Sequence, residues 1–254
     1  MEPRRIGKQF LYGIFYTTFF FAIIYAPYFI LKPEPTCFDG KQNQDEAGVD
    51  CGGASCMSCE IKSLKPIEVV LRTSFLAQDP VILVKLENPN TRFGALKLPY
   101  QLDVYGASGN IIKTFKDETF IYPGDKEKYI VKQLDGAGSV VIGSPKITLG
   151  DPVWESVNKF RKPNFTFRQV NSDVKSGEIF IRGNIKNEET LLFTQVDIGA
   201  LFYSINGTLL GVSKTQVRDV KAFEERFFQI EYPISAAPNV DLTKTRLFYE
   251  AVRQ

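Results

Sequence analysis

Residues 81–90 read Val81-Ile82-Leu83-Val84-Lys85-Leu86-Glu87-Asn88-Pro89-Asn90. β-branched and leucine side chains dominate the first six positions, as a pleated strand favours, and the Asn-Pro-Asn that follows supplies a turn. Runs of the same kind recur along the chain: IEVVLRTSFL from Ile67, YQLDVYG from Tyr100, KYIVKQL from Lys128, EIFIRGNI from Glu178, IGALFYS from Ile198 and RFFQIEY from Arg226. Turn residues separate them at Asn90, Gly109-Asn110, Pro123-Gly124 and Asn206-Gly207. After Cys59 no long 3.6-residue apolar period interrupts the pattern, so short strands at this spacing predict β-sandwich architecture.

The strands also repeat. Leu86-Glu87-Asn88 parallels Ile185-Lys186-Asn187, and Tyr105, Gly109 and Ile111-Ile112 parallel Tyr203, Gly207 and Leu209-Leu210. Lys146-Ile147-Thr148 lies opposite Lys244-Thr245-Arg246. The offset is about one sandwich domain in length, which predicts a duplicated unit. We place one domain at residues 63–150 and the other at 164–254, with 151–163 as the linker between Pro152 and Pro163. The only tryptophan, Trp154, falls in that linker, where packing at a strand end is the expected role and a wedge or partner anchor the alternative.

Composition narrows the chemistry. The chain has 254 residues, 31 Lys+Arg against 29 Asp+Glu, and no histidine. Glu2, Arg4, Arg5 and Lys8 are the only charged residues before position 32, so the remainder is electrically neutral and exerts no long-range pull on nucleic acid. Without histidine, Ser-His-Asp and Cys-His catalysis, histidine-ligated metal and a histidine proton switch are all excluded. No phosphate-cradling or dinucleotide-binding glycine motif occurs, so no nucleotide is expected. Glu188-Glu189 and Glu224-Glu225 are adjacent pairs whose side chains point to opposite faces of a strand, so they are read as solvated surface rather than acid–base machinery. Asn164-Phe165-Thr166 and Asn206-Gly207-Thr208 meet the glycosylation pattern at a frequency chance alone supplies.

From Phe10 to Leu31 the sequence carries no charge. At about 1.5 Å per residue this stretch is long enough to cross a hydrocarbon core about 30 Å thick. Tyr12 and Tyr16 lie near one end and Tyr25 and Tyr28 near the other, which suits the headgroup level. No small-x-small cleavage site follows, so a retained signal-anchor helix is expected rather than a cleaved signal peptide. With Arg4, Arg5 and Lys8 on the short side, the positive-inside rule places residues 1–9 in the cytoplasm and everything after the helix outside it. The expected location is therefore the cell membrane, single-pass.

All four cysteines, Cys37, Cys51, Cys56 and Cys59, fall in a Gly-rich, polar segment that cannot form a core of its own. Residues 32–62 are read as a stapled stalk. An oxidising compartment favours two disulfides, and spacing leaves all three pairings open. A four-thiolate zinc site and a Cys56-x-x-Cys59 redox pair are the alternatives. Asp39, Asn43, Asp45, Glu46 and Asp50 are hard oxygen donors interleaved with Gly40 and Gly48, a chemistry that suits calcium, although Lys41 departs from the EF-hand spacing.

The order Cys37, Asp39-Gly40, Asn43, Glu46, Gly48-Val49-Asp50-Cys51-Gly52-Gly53, Cys56, Cys59 resembles a short cysteine-rich module found in surface and membrane-anchored proteins of bacteria, with Ala54-Ser55 carrying one residue more than that pattern. The stretch Val81–Asn90 followed by Leu102-Asp103-Val104-Tyr105 and Gly109 is similar to the late-embryogenesis-abundant group 2 (water-stress) sandwich. Val196–Tyr203 through Gly207-Thr208-Leu209-Leu210 resembles the bacterial FxLYD domain, with Ala222-Phe223 standing where the first unit has Pro123-Gly124. These resemblances imply tandem Ig-like folds used outside the cytoplasm and imply no enzyme. The expected function is that of a membrane-anchored structural or binding protein whose Ig-like domains meet a protein or cell-envelope partner. An accessory subunit of a membrane complex, or a thiol–disulfide or other envelope enzyme, is the alternative.

Overall fold

The computed structural model describes residues 3–31, 34–75, 79–136 and 142–251, with the side chains of the first helix described from residue 7 to residue 25. The chain divides into two units, Met1–Leu64 and Lys65–Gln254.

The first unit opens with helix α1, Pro3–Leu31. Pro3 stands at its first position, where a missing amide hydrogen costs nothing. Its large apolar side chains from Phe10 to Tyr25 are exposed on every face. Thr17 and Thr18 donate their hydroxyls to the carbonyls of Gly13 and Ile14 one turn earlier, at 2.7 and 2.8 Å. Among the described residues no helix is long and apolar enough to cross a membrane. The described uncharged side chains, positions 10 to 25, cover about 24 Å at 1.5 Å per residue, short of a core about 30 Å thick. The remainder of the segment expected to span, including Tyr28, lies outside the described side chains. The unit ends in a single turn, α2 (Cys59–Lys62), capped by the Ser58 side chain, which accepts from the Ile61 amide.

The second unit is built of β-strands: β1 (Glu68–Phe75), β2 (Val81–Glu87), β3 (Phe93–Tyr105), β4 (Ile111–Ile121), β5 (Lys128–Gln133), β6 (Lys146–Leu149), β7 (Val153–Ser156), β8 (Phe165–Lys175), β9 (Glu178–Asn187), β10 (Phe193–Tyr203), β11 (Leu209–Val220), β12 (Glu225–Pro233) and β13 (Arg246–Ala251). Among the described residues these form four antiparallel sheets, in the orders β1-β2-β5, β4-β3-β6, β12-β9-β8 and β11-β10-β13. The first two sheets enclose a core of Ile82, Val84, Leu86, Leu98, Leu102, Val104 and their neighbours. The last two enclose Ile179, Ile181, Ile185, Phe193, Ile198, Phe202, Phe228 and Ile230. Strand β9 alternates buried and half-buried along its whole length, the period of a strand with one face in the core.

The predicted duplication is present in the pairing itself. The order β1-β2-β5 recurs as β8-β9-β12, and β4-β3-β6 recurs as β11-β10-β13. The bulge between Val104 and Tyr105 returns between Phe202 and Tyr203, and the isolated bridge Gly106–Ile142 returns as Ser204–Val240. Part of residues 151–163, expected to be a linker, instead extends the first sheet: β7 pairs with the start of β3, and Trp154 packs against the first core from opposite Ala95. Phe160 closes this end, its ring 4.7 Å from that of Tyr122.

The two halves share a third core. Phe75, Leu83 and Tyr129 of the first half pack against Leu201, Val212 and Phe248 of the second. Leu83 points away from Ile82 and Val84, and Leu201 away from Ala200 and Phe202, so the sheets containing β2 and β10 are buried on both faces. The Phe248 ring lies so close over Gly199 that an added Cβ there would stand 2.0 Å from a ring carbon. At the rim of this seam, the almost fully buried Lys128 ammonium meets the Glu250 carboxylate at 2.8 Å and sits 3.8 Å over the Phe120 ring. The Tyr129 amide donates to the same carboxylate, and the Tyr122 hydroxyl donates to the Ala251 carbonyl.

Candidate functional site

The cysteine segment is a compact knot. Cys37 bonds Cys56, and Cys51 bonds Cys59. No cysteine is free, so the four-thiolate zinc reading has no ligands. The two halves of Cys56-x-x-Cys59 pair elsewhere rather than with each other, which removes the redox dithiol expected as an alternative.

The glycines of the GVDCGG stretch are explained by space and by backbone. Gly52 and Gly53 have φ of +81° and +73°, and a Cβ on either would collide with the loop at Ala47 or Asp45. Only glycine adopts that conformation at no steric cost. Gly48 lies against the Cys51–Cys59 sulfurs, leaving 3.1 and 3.2 Å to a notional Cβ.

The five oxygen donors expected to ligate calcium are all in this knot, each facing a group of its own loop. Asp39 accepts from the Lys41 amide at 2.9 Å and from the Asn43 side-chain amide at 2.8 Å. That second bond holds the Asp39 carboxyl below its ordinary range. Asp45 accepts from the Ala54 amide, closing the loop across Gly53. Glu46 is buried, and one oxygen accepts from the amides of Asn43 and Asp50, both at 3.2 Å. Asp50 accepts from the Gly40 amide at 2.9 Å, with its other oxygen 3.5 Å from the Lys62 ammonium. Lys62 also donates to the carbonyls of Val49 and Asp50 at 3.0 and 3.3 Å. The loop thus supplies its own cation at Asp50, while Asn43 Oδ1 is buried with no hydrogen-bond partner among the described residues. The other grouping of metal-capable side chains, Cys37, Glu46 and Cys56, contains two sulfurs already bonded to one another.

In the β unit, two buried asparagines carry the repeat. Asn88 donates its side-chain amide to the carbonyls of Phe93 and Tyr122 at 2.8 and 2.9 Å and accepts from the Asn90 amide. Asn187 donates to Leu191 and Lys221 at 2.7 and 2.9 Å and accepts from Glu189. Each pins the loop after its own strand to the loop between the fourth and fifth strands of its half. The sequence displays both letters at matching positions, but their burial and role were missed. Glu189, expected to be solvated, is also buried: it accepts from the Asn164 amide at 3.0 Å and pairs with Arg161 at 2.9 Å, fixing the entry to the second half. Glu188 remains at the surface among Thr166, Lys186 and Arg168, and its hydrogen bonds to Lys186 and Thr166 depress its pKa.

The same end of the second half presents an apolar tip. Leu191, Leu192 and Phe223 are exposed, and the Phe223 amide donates to the Glu189 carbonyl, joining the two loops. Phe223 has φ of +59°, where its counterpart Gly124 has +65°. A bulky side chain in that region pays a steric cost that glycine avoids.

No family model matches the chain, and no curated protein does. Among solved structures, the crystal structure of red sea bream transglutaminase is similar at 14% identity and a TM-score of 0.21, over 65% of this chain and 27% of that one. The chain thus spans about a quarter of that enzyme's length, and a likeness at this level bears on neither fold nor chemistry.

Proposed function

We propose that the protein is a single-pass, membrane-anchored display protein, with its disulfide knot and two Ig-like sandwiches outside the cytoplasm, where the distal loops meet a protein or cell-envelope partner. The observation that carries the reading is helix α1, whose described large apolar side chains are exposed on every face. A helix apolar on every face is stable where its surroundings are apolar, and its threonine hydroxyls are satisfied within the helix, as lipid demands. The two disulfides support an oxidising compartment. The strained, exposed Phe223 beside Leu191 and Leu192 supports binding at that loop end, because strain is retained where a site uses it. Lys62 on Asp50 supports a knot held by its own charges, with calcium as an additional ligand to be tested at Asn43.

The test is protease treatment of intact and permeabilised bacterial cells expressing the full chain, read with an antibody to the β unit. Digestion in intact cells is expected; protection until permeabilisation would overturn the reading.

A further inference from the structure

Both cysteines of the Cys37–Cys56 disulfide are half-buried, so a small thiol can reach the bond. Each of its sulfurs faces an oxygen. The Ser55 carbonyl lies 3.8 Å from Cys37 Sγ, and Glu46 Oε1 lies 3.3 Å from Cys56 Sγ. Neither sulfur carries a hydrogen, so neither approach is a hydrogen bond; each sets electron-rich atoms side by side. Glu46 is held in this position. It is 8% exposed, and its other oxygen accepts from the amides of Asn43 and Asp50, both at 3.2 Å. Among the described residues no cation pairs with Glu46: the Lys62 ammonium is taken up by Asp50 and by two carbonyls.

We propose that Glu46 guards this disulfide by charge, slowing its opening by thiols and above all by anionic thiols. In thiol–disulfide exchange the lone pair of an incoming thiolate forms a bond to one sulfur, the bond between the two cysteines breaks, and its electron pair leaves on the other sulfur. A second thiolate then displaces the first as an external disulfide. One disulfide is thereby reduced to two thiols, which take their protons from solvent, while two external thiols are oxidised. Attack at Cys37 creates the leaving thiolate at Cys56, whose sulfur stands 3.3 Å from the carboxylate. Attack at Cys56 brings the charge of the nucleophile to the same place. Both routes build a second negative charge beside Glu46, and like charges at that separation repel strongly where little water intervenes. The guard belongs to the knot alone, so it stands whichever side of a membrane the knot occupies.

The experiment follows the opening of Cys37–Cys56 in the detergent-purified full chain, by alkylation of the freed cysteines and mass spectrometry. The probes are cysteamine, a cationic thiol, and 2-mercaptoethanesulfonate, an anionic one. Their rates on hydroxyethyl disulfide, which is neutral, correct for the intrinsic reactivity of each thiol. The corrected preference for cysteamine is expected to be about tenfold. In Glu46→Gln, whose side-chain oxygen can still accept from the Asn43 and Asp50 amides, that preference should fall to about twofold as opening by the anionic thiol speeds up. A substitution that merely loosened the loop would speed both thiols equally, so an unchanged preference in the variant overturns the proposal. Equal corrected rates in the unsubstituted chain overturn it without any variant.

Discussion

A buried side-chain amide is tolerated only when its donors and acceptor are matched, and Asn88 and Asn187 meet that condition in the same way. Asn187→Ala would leave the Leu191 and Lys221 carbonyls unpaired and should cost about 3 kcal/mol; Asn88→Ala should cost a similar amount. Urea unfolding reads both, and a loss below about 1 kcal/mol at either would remove the claim that they lock the loops. Asp39 makes a second prediction at this scale. The Asn43 hydrogen bond holds its folded pKa below the ordinary 3.8, so its contribution is present above that value and is lost as pH falls through the lowered one. The Lys41 amide resonance should therefore titrate below pH 3.8, and in Asn43→Ala its midpoint should rise. The role of the two asparagines was hidden in the sequence because each also bonds the backbone of a distant loop: Asn187 and Lys221 are 34 residues apart.

At the scale of elements, the strands and the repeat were legible because both rest on local chemistry, β-branched runs and turn residues at a fixed offset. The disulfide pairing was not, because spacing constrains four cysteines only weakly. Strand β7 was read as part of a linker because four residues, Val-Trp-Glu-Ser, carry no distinguishing alternation; the open edge of β3 makes them a strand. Proteolysis without reductant should release Cys37–Cys56 and Cys51–Cys59 linked peptides, and mass spectrometry finding Cys56 joined to Cys59 would dispose of the knot described here. Closing loops with separations of 19 and 8 residues stabilises by about 3 kcal/mol each in the chain-entropy account. Reduction should therefore unfold residues 34–62 while leaving the β unit, which contains no cysteine, intact.

For the whole molecule, the shared core makes the two halves a single cooperative body rather than beads on a tether. Calorimetry of the full chain should show one transition for the β unit. Phe248→Ala should cost about 3–5 kcal/mol and divide that transition in two; one undivided peak in the variant would mean that the seam contributes little to coupling. The Lys128–Glu250 pair adds specificity to the same seam, since a nearly buried ammonium left alone is expensive. A ribosome, however, delivers this body in instalments. When Gln133 has been added, Leu83 and Tyr129 present a sticky wall whose cover, ending at Phe248, is still 115 residues from synthesis, roughly 6–23 s at ordinary elongation rates. Throughout that interval the nascent first half requires shelter, so production should depend on holdase chaperones, and truncation after residue 163 should yield insoluble material.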